Sequence, residues 1–344
     1  MSVTIDSKST TDIPTAPEEP RARHRFAAGA VFEKYALVLA LIAVVVVFSM
    51  LRPDIYPTAG NLQNVLGSQA VLLILALGLI VPLTAGEFDL SAVSTMSLSA
   101  MTIAVLNVQQ GWSLPAAIIV AILVSVLVGL INAVLVVQLR IDSFIATLGS
   151  GTVVLGVVQW ISSSTSVTGI DDALVDATIG TRFLGVSMQF YYALALVVVM
   201  AVVFTFTPVG RRLLFVGRGA EVARLSGLHV DRVRGGSLVF SALIAAAAGV
   251  VYAGMLGGAD PSSGQSFMLP SFAAAFLGAT AIVPGRFNPF GTLIAVYFLV
   301  AGVVGLQMLG AASFVQQLFY GGALIVAVAL SGAVRRRTTS RSAA

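Results

Sequence analysis

Ten apolar runs, separated by short polar connections, dominate the chain: 35–51, 65–84, 92–108, 114–139, 144–161, 190–208, 238–255, 269–283, 290–309 and 314–331. None alternates apolar with polar as a barrel strand does, and none contains Lys, Arg, Asp or Glu. A helix needs about 20 apolar residues to cross a bilayer, and several runs approach that length. The pattern predicts an all-α, polytopic helical membrane protein with about ten transmembrane helices; eight to eleven fit. The runs at 92–108 and 269–283 are short, so each is a candidate for a broken or partly re-entrant element, which the sequence leaves open.

Composition agrees. Of 344 residues, 58% are hydrophobic and 10% charged, and the mean hydropathy is +0.98. A soluble fold carries roughly a quarter charged residues. One water-soluble core cannot hide this surplus, so lipid must solvate part of it. A pI near 9.7 raises the question of nucleic acid, but the basic residues flank apolar runs instead of forming a patch, so no nucleic acid is expected. With ten spans and an inner amino terminus, only Arg52 and Arg182 of the 19 Lys and Arg fall outside the inner segments. That bias places both termini in the cytoplasm and requires an even number of crossings. The expected organisation is a disordered cytoplasmic tail at 1–33, a transmembrane domain at 34–333 and a basic cytoplasmic tail at 334–344. The first tail is too polar for a cleavable signal.

Several chemistries are excluded. The lysines are Lys8 and Lys34, neither in a Gly-rich loop, so a phosphate-cradling Gly-Lys-Ser/Thr loop is absent. The histidines are His24 and His229, and there is no cysteine; neither a metal site within the spans nor a Ser/His/Asp set can be assembled. No cofactor and no enzyme activity are expected. An ion-coupled carrier usually keeps ionisable groups at mid-membrane, a role open here only to Glu87 and Asp89 at a span boundary. That reading, and those of a passive channel or a receptor-like scaffold, stay open at this point.

Uncharged polar residues within spans are candidates for a solute pathway: Asn132, Gln159, Trp160 and Gln307, with Gln316 and Gln317. A neutral polyhydroxylated solute needs amide and hydroxyl partners and an aromatic face. For any single one, hydrogen bonding between helices, worth about 0.6–2 kcal/mol, accounts for the residue equally well. Two connections exceed what joining spans requires: 162–189, with Asp171, Asp172 and Asp176, and 209–236, with six Arg. Both are candidate docking surfaces.

The stretch Gly86-Glu-Phe-Asp-Leu-Ser91 lies between two runs and resembles the Gly-Gly-Ile-Asp-Leu-Ser motif of ribose-type permease subunits of bacterial ABC importers. "SFIATLGSGTVVLG" at 143–156, "GRRLLFVGRGAEVARLSGLHVDRVR" at 210–234 and "AFLGATAIVPGRFNPFGTLIA" at 275–295 resemble further motifs of that family, in the same order. Glu87 and Val93 stand where the family often has glycine, and Asn288-Pro289 interrupts its last Gly-rich run.

The resemblance implies the ABC importer permease fold and an inner-membrane location. It also implies three partners: a cytosolic ABC ATPase subunit, an extracytoplasmic solute-binding protein and a second permease copy in a homo- or heterodimer. The solute is typically a monosaccharide. Residues 209–236 then become a coupling loop, with a short helix over Gly219, Glu221, Val222, Arg224 and Leu225 that ends at Gly227. Val222 and Leu225 share one face, and Glu221 is expected to pair with Arg224. Asp89 or Ser91 is expected to cap the helix that begins near Ala92, beside the pathway, with Glu87 as a wall residue. "GRFNPF" at 285–290 repeats the Gly-x-Phe-Asp/Asn pattern of "GEFDLS".

Overall fold

A computed structural model describes the backbone of residues 23–342 and, except at 263, the side chains of 34–329. The expected tail at 1–33 lies outside the described residues as far as residue 22; from Arg23 the backbone is helical. Fourteen helices are described. The first five are α1 (Arg23–Leu51), α2 (Ala59–Ser68), α3 (Ala70–Ala85), α4 (Ala92–Ala104) and α5 (Leu114–Ala133). Next come α6 (Ser143–Ile161), α7 (Asp172–Val175), α8 (Met188–Phe206), α9 (Pro208–Arg218) and α10 (Ala220–Leu225). The last are α11 (Val230–Leu256), α12 (Met268–Gly278), α13 (Pro289–Met308) and α14 (Ser313–Ser342). Two pairs of two-residue strands complete the fold: β1 (Val167–Thr168) with β4 (Gly258–Ala259), and β2 (Arg182–Phe183) with β3 (Val186–Ser187).

Among the described residues, seven helices are long and apolar enough to cross a membrane, and an eighth is gained if α2 and α3, bent by 41° at their junction, form one span. Ser313–Ala329 is a shorter apolar helix. The two short runs differ in outcome. The run beginning at Ala92 forms a helix of 18 residues, Ala92–Gln109, with a π turn at its end, so it is unbroken and long enough to cross. The other forms only α12, of 11 residues, and the chain then leaves the helical path until α13.

Residue size decides which helices lie inside. On α5, Ala117, Ala121, Ser125, Val128 and Asn132 form a buried stripe, while Ile119, Leu123, Leu127 and Ile131 form an exposed one at spacing four. The small stripe lets α11 approach: a Cβ on Gly129 would stand 2.7 Å from the Ala242 Cβ. Lipid tails are as apolar as leucine, so such close contact and hydrogen bonding, rather than water exclusion, hold neighbouring helices together. Every residue of α3 and α4 is buried. Three hydroxyls of α4 bond to backbone, Thr95 to the Ser91 carbonyl, Ser97 to the Val93 carbonyl and Ser99 to Ala246 of α11 at 3.0 Å. Around this centre lie α1, α5, α6 and α8, whose large outward residues include Val46, Val153 and Val198.

The connections gather at two ends. At one, Gly86–Ser91 meets Ser143, Arg234 and Gly217, and the Ile282 N–H donates to the Lys34 carbonyl. At the other, Arg52 donates to the Met308 carbonyl, Asn107 accepts from Asp171 N–H, and the β2–β3 hairpin receives Gln63 at the Leu184 carbonyl. These are called below the break end and the hairpin end.

At the break end α12 and α13 nearly touch: a Cβ on Gly278 would lie 2.5 Å from the Thr292 nitrogen. We expect Gly278→Val to destabilise the protein by about 1–3 kcal/mol, since the obstacle is backbone. Gly236→Ala on the open face of α11, where nothing lies within 4 Å, should be neutral or slightly stabilising. Thermal unfolding in detergent checks both; equal Tm values for the two variants would contradict the account.

Candidate functional site

Between α3 and α4 the chain must turn without a helix to satisfy its backbone, in a place where water is scarce. Gly86 makes the first move at φ +86°, in the left-handed region that favours glycine, and its N–H returns to the Leu83 carbonyl. The Glu87 N–H bonds to the Pro82 carbonyl at 2.9 Å. The next donors are taken by α6: Phe88 N–H by Ser143 Oγ at 3.1 Å and Leu90 N–H by Thr147 Oγ1 at 3.0 Å. The motif at 143–156 is thus the side-chain scaffold for the motif at 86–91.

Asp89 is buried. Its Oδ1 accepts from the Ser91 N–H at 3.0 Å and from the Ser91 hydroxyl at 2.6 Å. Ser91 occupies the N-cap position of α4, but its own side chain makes no capping bond. Ser91 Oγ accepts from Asn132 Nδ2 at 2.8 Å, and Asn132 Oδ1 accepts from Ser150 Oγ at 2.5 Å. One chain of polar contacts therefore runs from the break through α5 to α6. Gly151 makes room for it, since a Cβ there would be 3.2 Å from the Ser91 Cα. Ser241 of α11 faces Asp89 from the other side.

Glu87 turns away from this chain and pairs with Arg234 of α11. The Glu87 side chain is 5% exposed and that of Arg234 29%. Phe88 stacks against Phe276 at 6.4 Å between centroids, and Phe276 against Phe287 at 5.5 Å. The phenylalanines of the two Gly-x-Phe-Asp/Asn stretches therefore share one ring. The second stretch also caps a helix: Asn288 Oδ1 accepts from Gly291 N–H at 2.7 Å, while Nδ2 donates to the carbonyls of Gly278 and Ala281. Beside these rings lies a cavity of about 590 Å³ lined by Leu90, Phe144, Met268, Phe272 and Leu324, and its walls are apolar.

Of the seven pathway candidates, Glu87, Asp89, Ser91 and Asn132 come together, and the other three do not join them. Gln159 and Trp160 lie exposed at the hairpin end of α6, Trp160 at 78%. With Trp112, Tyr191 and Tyr192 at the same end, Trp160 occupies the level where aromatic side chains anchor a membrane protein in the interface. Gln307 joins α13 to α14 through Gln316 at 3.1 Å. None of the seven lines the apolar cavity.

The coupling segment is built as a small unit. Gly219 precedes α10, and Gly227 at φ +80° ends it, its N–H returning to the Arg224 carbonyl. Ala223 packs against Val216 of α9 and Val230 of α11. This leaves Val222 and Leu225 outward, 60% and 86% exposed. Arg224 pairs with Asp231 at 3.2 Å; the expected Glu221–Arg224 pair does not form, because α11 brings its own carboxylate alongside. Gly217 anchors the unit against α3, where a Cβ would overlap the Thr84 carbonyl oxygen.

Sequence reasoning missed five participants. Ser143, Thr147 and Ser150 recur at spacings of four and three, which places hydroxyls on one face of an otherwise apolar helix, a signal available in the sequence. Arg234 carried a weaker one, as a lone cation where the charged loop gives way to the apolar run. Ser241 carried none.

A polytopic helical bundle with a broken crossing and an exposed amphipathic helix at one end has the architecture of a membrane transport component. Residues 61–328 match the family described as "Branched-chain amino acid transport system / permease component", and the chain belongs to that family. It is similar to the ribose import permease protein of Bacillus subtilis (30% identity; 87% of this chain and 93% of the relative). It is similar too to the xylose transport system permease protein of Escherichia coli K12 (25%; 88% and 93%). A third relative is the autoinducer 2 import system permease protein of Salmonella typhi (28%; 76% and 75%). The family description and the relatives' names point to different solutes, so membership alone does not fix one. No solved structure matches the chain.

Proposed function

We propose that the chain is the membrane-spanning subunit of a binding-protein-dependent ABC importer, carrying a monosaccharide or similar polyhydroxylated solute into the cytoplasm of a bacterium. The observation that carries the reading is the unit around α10. Two bare apolar side chains are held by a buried alanine and two well-formed ends on a chain that has no phosphate loop of its own. Such a ridge fits a groove on a cytosolic ATP-hydrolysing partner.

In this reading the chain crosses ten times with both termini cytoplasmic, the break end inside and the hairpin end facing the binding protein. The alternation of the apolar runs between the two sets of connections supports that path. The solute route runs between two copies of the permease, a reading supported by the apolar cavity of one copy, which none of the polar candidates lines among the described residues. ATP-driven closure of the partner moves α9 and α10, and Gly217 passes the motion to the end of α3. That motion rocks the inner helices between outward-open and inward-open states.

The test is uptake into proteoliposomes holding the chain with the ATPase and binding protein that copurify with it. D-ribose, D-xylose and L-leucine serve as probes. We expect uptake of a sugar that requires MgATP and survives a protonophore. Uptake without ATP that collapses with a proton or sodium gradient would replace the importer by an ion-coupled carrier, and leucine uptake alone would move the solute class.

A further inference from the structure

Glu87 and Arg234 are 147 residues apart in sequence, yet they form an ion pair with the carboxylate almost wholly out of solvent. Neither is needed to finish the backbone of the break, which Gly86, Ser143 and Thr147 already satisfy. What the pair joins is informative. Glu87 belongs to the break at the inner mouth, whereas Arg234 sits on α11 one turn beyond Asp231, the partner of exposed Arg224 on α10. Asp231 also acts electrostatically on Arg234. A line of alternating charge thus leads from the solvent-facing coupling helix to the buried turn: Arg224, Asp231, Arg234, Glu87. On the opposite flank α9 reaches the same turn through Gly217, which stands against Thr84 and Gly86. The segment from α9 to α11 therefore grips the break from two sides, once by backbone contact and once by charge.

We propose that the Glu87–Arg234 pair is a latch that holds the inner mouth closed, with Arg234 as the positioning residue through which displacement of α10 releases the break. This inference rests on the importer reading for what moves α10, but not for the latch itself. Charge-assisted pairs out of water are strong when made and costly when one member is lost, so the pair favours a single closed geometry. Gly217 contact alone transmits a push; the ion pair adds a pull, and the two together return the turn to one place after each cycle.

The absence of cysteine from the chain makes the test direct. Ala85 is buried at the end of α3, so Ala85→Cys reports opening of the mouth as its rate of reaction with a soluble maleimide in inverted membrane vesicles. Glu87→Gln and Arg234→Gln are each expected to raise that rate about tenfold, in proportion to the loss of a charge-assisted bond. The double variant should react no faster than either single one. A Leu174→Cys reporter, buried at the hairpin end and labelled in right-side-out vesicles, should not change, which shows that the fold is intact. Unchanged rates in the single variants, or a double variant whose rate is the product of the two effects, would overturn the latch. Because no ATPase partner takes part, that result would leave the importer reading standing. If the importer reading fails instead, the labelling cycle is unaffected.

Discussion

Leu225→Asp is expected to lower solute uptake at least about 100-fold while leaving the permease folded in the membrane. Leu225 is 86% exposed, so the substitution should change stability by no more than about 0.5 kcal/mol. In a partner's groove the same position becomes the centre of a small apolar contact. Truncating such a residue costs about 2 kcal/mol or more, and a buried unpaired carboxylate adds to that. The comparison is Glu221→Gln on the same short helix, which removes a charge without touching the ridge and should transport normally. Copurification of the ATP-hydrolysing partner, followed by uptake of whichever probe sugar the native complex carries, measures both effects. If the Leu225→Asp chain still retains the partner at full stoichiometry and transports, α10 is not the point of attachment.

The second large effect is expected at Asn132→Leu. Volume is nearly conserved, but the change removes the bond to Ser91 Oγ and leaves Ser150 Oγ without its acceptor on α5. Two interhelical bonds at about 0.6–2 kcal/mol each give a loss of about 1–4 kcal/mol; Ser150 Oγ keeps the Thr147 carbonyl at 3.3 Å. Thermal unfolding in detergent should show the loss. Adding Ser150→Ala should cost little more, because both changes break the same contact. Gln159→Leu, outside this chain of contacts, should leave the unfolding temperature nearly unchanged, and Gln307→Leu, which breaks one exposed bond to Gln316, should lower it less than Asn132→Leu does. A drop of equal size for all three amides would mean that Asn132 has no special place.

The sequence was most legible where one physical rule acts alone. Lipid demands long apolar helices, so the ten runs each reappear within helical structure, although α12 covers only part of its run. Gly227 ends α10 because few other residues accept a positive φ, and the spacing of Val222 and Leu225 sets their common face whatever surrounds them. Legibility failed where two segments compete for one group. Glu221 was the nearest carboxylate to Arg224 on its own helix, but α11 folds back and presents Asp231, a contact no local rule contains. The amides were similar in sequence, yet Asn132 lies on the small-residue stripe of α5 while Gln159 and Gln307 lie on open faces near helix ends. The match to Arg234 required knowing that α11 lies against the break. The sequence offered Glu87 only as a wall residue, and no local rule names the cation that meets it.

Phe276 touches both Phe88 and Phe287, so two loops separated by nearly two hundred residues lean on a single hub. Neither can swing far without dragging or abandoning the other. A smaller side chain at the hub, as in Phe276→Ala, would give each loop independent play, and the break end would settle raggedly instead of as one lip.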